Sequence, residues 1–113
     1  MATSPTQRSL KLLRDEGFLV SVVEHWNPHA RIRQDMFGCI DLVALGNGQT
    51  IGVQTTSYSN MSARRNKIAE NPALEEMSKS GWIVEVHGWK KGTNGRWSVK
   101  RVRITVEVNE DAV

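Results

Sequence analysis

The stretch Cys39-Ile40-Asp41-Leu42-Val43-Ala44-Leu45-Gly46-Asn47-Gly48-Gln49-Thr50-Ile51-Gly52-Val53-Gln54-Thr55-Thr56 decides how this chain folds. Two runs of strand-forming residues, 39–45 and 50–56, flank Gly46-Asn47-Gly48-Gln49. Asn-Gly between apolar runs is the strongest short-range signal for a β-hairpin. With Asn47-Gly48 as the turn, Leu45 pairs with Thr50 and Asp41 falls opposite Gln54. Side chains two apart share a strand face, so Thr56 is expected beside Gln54. A carboxylate, an amide and a hydroxyl then converge on an otherwise apolar sheet. Polar groups taken out of water need partners, and a metal ion or a phosphate would supply them. The plainer reading is a buried acid held by local hydrogen bonds beside a polar strand end.

Before this hairpin, residues 1–17 read as a short N-terminal segment and a helix. Ser4 suits the cap, Pro5 the first helical position, and Gln7 stands where a capping box places its amide. Leu10 and Leu13 mark the buried side and Gly17 the exit. A strand is expected over Phe18–Glu24, then an irregular basic segment from His25 to Phe37 broken at Asn27-Pro28. That break also argues against a helical metal pair of His25 and His29. After Ser57 the pattern turns helical, with Ser59 or Asn60 as cap and Arg64, Arg65 and Lys67 in the first turns. Asn71-Pro72 interrupts it, and a second piece through Leu74 and Met77 ends near Gly81. Trp82–Trp89 returns as a strand in which His87 is expected to pack or titrate. A turn over Lys90 to Arg96 leads to a last strand through Val102, Ile104 and Val106, with Arg101 and Arg103 on its other face. The order is helix, three strands, helix, two strands.

Bulk composition sets the frame. A chain of 113 residues with 39% hydrophobic content makes one domain, expected over 1–106, with an acidic and disordered tail at 107–113. No apolar run is long enough to span a membrane and no secretory leader is visible. The single cysteine, Cys39, is expected as a buried, inert thiol, and a reducing cytoplasm fits it. Net charge is +3; the tail holds Glu107, Glu110 and Asp111 against no base, which leaves residues 1–106 at +6. Such a surplus favours a polyanionic partner, although many basic domains bind none.

The element order, with an acid in the second strand and a polar dyad ending the third, resembles the PD-(D/E)XK nuclease superfamily. Arg33-Gln34-Asp35-Met36-Phe37-Gly38-Cys39-Ile40-Asp41 with Gln54-Thr55-Thr56-Ser57 also looks like phage and prophage proteins of Holliday-junction-resolvase type. The resemblance covers roughly 5–106 and rests on element order more than on a strict motif. It implies an α/β, restriction-endonuclease-like α-β-β-β-α-β core, a central mixed sheet flanked by helices. Asp41 matches the family's first acid, while Gln54 stands in place of its Glu and Thr56 in place of its Lys. Implied, too, is a metal-dependent endonuclease acting on DNA, including branched or junction DNA. It would work as a homodimer in the cytoplasm of a bacterium or phage-infected host, with no membrane partner.

Mg²⁺ takes hard oxygen ligands, and Mn²⁺ substitutes for it. Asp41, the amide oxygen of Gln54 and the carbonyl of Thr55 are the expected metal ligands, with Glu24 and Asp35 as the spare acids. Lys67 is the preferred substitute for the absent lysine, aided by the dipole of its helix. Gln7 is either a helix cap or the counterpart of an acid that resolvases carry on their first helix. Arg31, Arg33, Arg64, Arg65, Lys67, Lys90 and Lys91 are the expected nucleic-acid contacts. Lys90, Lys91, Arg96, Lys100, Arg101 and Arg103, with Trp89 and Trp97 interleaved, form a second basic patch, and Tyr58 adjoins the dyad. The competing reading is a nuclease fold without catalysis that serves as a nucleic-acid-binding module. Gln54 and Thr56 favour it, because each removes a charge that hydrolysis uses. An RNA substrate stays open beside DNA.

Overall fold

The computed structural model describes residues 3–106; the acidic tail expected at 107–113 lies outside the described residues. The elements run α1 (Pro5–Asp15), β1 (Leu19–Val22), β2 (His25–Asn27), β3 (Ile32–Gln34), β4 (Leu42–Gly46) and β5 (Gln49–Ser57). A 3₁₀ turn (Tyr58–Asn60) then leads into α2 (Met61–Ala69), α3 (Ala73–Lys79), β6 (Trp82–Lys91) and β7 (Trp97–Ile104). The architecture is α/β. A five-stranded sheet is ordered β1-β4-β5-β6-β7, with β5 and β6 parallel and the other neighbours antiparallel. Among the described residues no helix is long and apolar enough to cross a membrane.

The central hairpin has the expected register: Leu45 pairs with Thr50 and Leu42 with Val53. Asn47 and Gly48 both take positive φ, 52° and 71°, the left-handed pair that a two-residue hairpin turn with the right twist requires. The α1 cap also forms, with Ser4 Oγ accepting from the Gln7 N–H at 3.2 Å.

Two cores sandwich the sheet. On one side Leu10 and Leu13 of α1 pack with Val20, Leu42, Ala44, Ile51 and Val53. On the other, Met61, Ile68, Leu74 and Met77 of α2 and α3 pack with Ile40, Val84 and Val86. A polar seam runs beneath the first half of α1. Ser9 Oγ lies 2.8 Å from His87 Nδ1 and accepts from Trp89 Nε1 at 2.9 Å, and His87 Nε2 meets Glu85 Oε1 at 3.0 Å. His87 is fully buried, so its packing role stands, with both ring nitrogens satisfied. Its hydrogen bond, foremost, holds the Glu85 carboxyl down at about 2; burial opposes this and Arg101 and Arg103 assist.

Three expectations need correction. The segment from His25 to Phe37 is not irregular, because β2 and β3 form a separate two-stranded ribbon. Pro28 sits in its turn rather than inside a strand, where its missing N–H does no harm. The second main-sheet strand starts at Leu42, not Cys39, because Met36 to Ile40 close a tight turn of their own. The last hairpin differs at both ends: β6 runs on through Lys90 and Lys91, expected in the turn, to pair Lys91 with Trp97, and β7 stops at Ile104, short of Val106.

Candidate functional site

Three chain segments meet where β4 begins. The pairing His25↔Gln34 makes Glu24 and Asp35 the next residues opposite one another on the ribbon. Beyond it, Met36 bridges to Ile40 across a turn in which Phe37 and Gly38 have φ of 55° and 76°. That turn folds Asp35 back beside Asp41. Val23 N–H donates to the Asp41 carbonyl at 2.8 Å, tying the end of β1 to the same point. The outcome is a cluster of Glu24, Asp35 and Asp41 whose ligand oxygens all lie within 4.8 Å of one another.

Asp41 is 3% exposed and caps the edge of β5. The β4 ladder stops at Leu42 while β5 runs on to Ser57, so the Thr55 N–H has no backbone acceptor on that side. Asp41 Oδ2 takes that N–H at 2.8 Å, together with Gln54 Nε2 at 2.8 Å and Thr55 Oγ1 at 3.1 Å. Thr55 Oγ1 lies 2.8 Å from Thr6 Oγ1, which joins α1 to the site. Burial, first of all, pushes the Asp41 carboxyl up to about 7; the Thr55 N–H opposes this, and the neighbouring Asp35 and Glu24 carboxylates reinforce it. The Cys39 thiol nearby is also pushed up, to about 11, by burial and then by Asp35 and Asp41. It is buried, as expected.

Glu24, Asp35 and Asp41 line a cleft of about 520 Å³ whose wall also includes Ser4, Pro5, Thr6, Gln7, Arg33, Gln54, Thr55, Arg64 and Lys67. Acids sit at its base and cations at its rim, where Arg33 Nη1 stands 3.1 Å from Glu24 Oε1. The helix N-terminus that borders the cleft is that of α1, through Ser4 to Gln7. That end carries no acid in its first turn, and its free N–H groups favour an anion.

The structure therefore brings together Asp41, Gln54, Thr55, Gln7, Arg33, Arg64 and Lys67, along with the spare acids Glu24 and Asp35. It does not bring in Thr56, which is buried in the sheet opposite Gly88 and does not line the cleft. Strand alternation does set Thr56 on the Gln54 face, but Asp41 serves the open N–H of Thr55 instead. Arg65 also departs from expectation. It is one residue around the helix from Arg64 and faces a separate cleft with Ser62, Asn66 and Arg103. Lys67 belongs to the last turn of α2, not the first, so it reaches the cleft by helical spacing from Arg64 and not through the dipole. Arg31 lies at the ribbon's turn, and Lys90 stacks 5.2 Å over the Tyr58 ring; neither they nor Lys91 line this cleft. His25 Nε2 lies 3.1 Å from Gln34 Oε1.

Sequence reasoning named Gln7 at the α1 end but missed Thr6 beside it. Thr6 stands three before Ser9 and four before Leu10, so helical spacing alone placed it on the buried face. No family model and no curated protein matches this chain.

Proposed function

We propose that this protein is a metal-dependent nuclease with a restriction-endonuclease-like fold. The observation that carries the reading is the convergence of Glu24, Asp35 and Asp41 at the base of a cleft rimmed by Arg33, Arg64 and Lys67. A cation at the base and a phosphodiester between base and rim would satisfy both sets of charges. The element order, helix, strand, hairpin, helix, strand, supports a PD-(D/E)XK relationship once β2 and β3 are taken as an insertion.

The donor set fits a hard divalent cation such as Mg²⁺ or Mn²⁺. Three carboxylates within 4.8 Å repel one another without one. All three hydrogen bonds that Asp41 accepts from described residues fall on Oδ2, which leaves Oδ1 for a cation. Gln54 turns Nε2 to Asp41, so its Oε1 is not spent on that bond. The Thr55 carbonyl leaves the strand on the same side as its N–H, as a residue's two backbone groups do. A bound cation would polarise the phosphate and lower the pKa of a coordinated water. The protein's own part is charge and position. Glu24 and Asp35 replace the carboxylate absent at Gln54; Lys67 and Arg64 hold the phosphate in place of the lysine absent at Thr56. Arg33 positions Glu24, and Thr6 positions Thr55 and through it Asp41.

Titration with Mn²⁺ by calorimetry tests the reading. A single site is expected, lost in Asp41→Asn and weakened roughly ten-fold or more in Glu24→Gln or Asp35→Asn. Binding that all three substitutions leave untouched would remove the site from the account. The second reading, a module that binds nucleic acid without cutting it, keeps one observation in its favour: Thr56 is buried and brings no charge to the cleft.

A further inference from the structure

The ribbon of β2 and β3 carries a feature that the metal site does not use. Its pairing sets Trp26 directly opposite Arg33, and directly opposed residues of an antiparallel pair share a face. Arg33 lines the acidic cleft and contacts Glu24. Trp26 is thereby placed on the cleft side of the ribbon, one cross-strand step from a cleft residue. It is 58% exposed. An exposed indole next to a charged cleft offers a flat apolar face with a polar edge to a partner.

The chemistry of the ribbon narrows the partner. Residues 25–34 hold Arg31 and Arg33 and no acid, so the surface beside Trp26 attracts an anion. The ribbon is a two-stranded sheet apart from the main one, and such pairs are marginal in water until something packs on them. Indole offers a flat face, and every nucleobase has a complementary one. In a continuous duplex those faces are covered by neighbouring bases, so only an unpaired nucleotide presents one.

Resting on the nuclease reading, we propose that Trp26 is a stacking platform for an unpaired base of the strand whose phosphate occupies the cleft. The substrate class is then DNA with single-stranded nucleotides beside the cut, such as a flap or branch, in preference to continuous duplex. Trp26 selects the substrate and takes no part in the bond-breaking chemistry. Arg33 serves both sites, pairing with Glu24 on one side and flanking the indole on the other.

Fluorescence anisotropy with a labelled single strand and a blunt duplex of equal length tests this, in Ca²⁺ and with both probes checked on a gel to be intact. Ca²⁺ takes the same oxygen ligands as Mg²⁺ at longer distances and so fills the acidic site. Trp26→Ala is expected to weaken the single strand about ten-fold and the duplex less than about two-fold, while Trp26→Phe loses under about three-fold on either. The Phe variant keeps a ring on the ribbon and so separates stacking from a folding failure. Equal losses on both probes, or no loss on either, overturn the stacking proposal and leave the nuclease reading standing. Wild-type protein that binds neither probe overturns the proposal and removes the nucleic-acid reading with it.

Discussion

At the scale of single residues, Asp41 carries both the order and the tension of the site. Three donors hold its Oδ2 while two further carboxylates crowd it. Its carboxyl is pushed up to about 7 from an ordinary 3.8, mainly by burial. A folded-state pKa above the unfolded one means that the native state holds its proton longer. For metal-free protein this group therefore imposes no penalty below pH 3.8, a growing one as pH rises toward 7, and a constant one beyond. Asp41→Asn removes the penalty and keeps an oxygen for the same three donors. Urea unfolding in EDTA should find the variant more stable than wild type at pH 8, by on the order of 2 kcal/mol, with the gap closing near pH 4. A gap that does not change with pH would show that Asp41 is not strained by its charge. Thr56 gives the opposite lesson. Strand parity placed it correctly on a face, yet the edge N–H at Thr55 decided which residue the acid would serve.

Among the elements, α1 is the one that joins fold to site. Its Leu10 and Leu13 supply apolar docking, while Thr6 and Ser9 on the same side reach Thr55 and His87. Thr55 and His87 are neighbours in the β5–β6 ladder, so the helix sits on two polar stitches side by side. Ser9→Ala should cost about 1–3 kcal/mol in thermal or urea unfolding, because His87 Nδ1 and Trp89 Nε1 lose their shared partner in a buried place. A loss of a few tenths would mean that water or a neighbour replaces the hydroxyl at once. The helices and hairpin were legible because each carries a local signal: Ser4-Pro5 for the cap, Asn47-Gly48 for the turn, Asn71-Pro72 for the break between α2 and α3. The β2–β3 ribbon was not. Its strands, His25–Asn27 and Ile32–Gln34, are too short for alternation to show, and the turn between them holds the proline that reads as a breaker.

Over the whole molecule, the site exists because residues far apart in sequence end at one edge of the sheet. Asp41 and Gln54 were readable as a pair because one turn fixes their register. Glu24 and Asp35 stood out only as acids to spare, since placing them demands two successive hairpins, one of them closed through Phe37 at positive φ. Lys67 and Arg64 reach the cleft from behind the sheet, along the crossover that makes β5 and β6 parallel, whereas Arg65 turns away. No local pattern separates those three cations; helical phase against the docked face does. The net +6 of residues 1–106 is thus unevenly spent. Three of its cations, Arg33, Arg64 and Lys67, line a cleft that also holds Glu24, Asp35 and Asp41, and under the nuclease reading they would grip a phosphate over a metal ion.

The most direct measurement is cleavage of a labelled panel, duplex, single strand, flap and four-way junction, with Mg²⁺ or Mn²⁺, comparing wild type with Asp41→Asn. The account predicts metal-dependent cutting by wild type and at least about a hundred-fold less by the variant, which keeps its affinity for the DNA. Binding without cutting by either protein, with both metals and on every substrate, would contradict it and leave a fold that recognises nucleic acid without hydrolysing it.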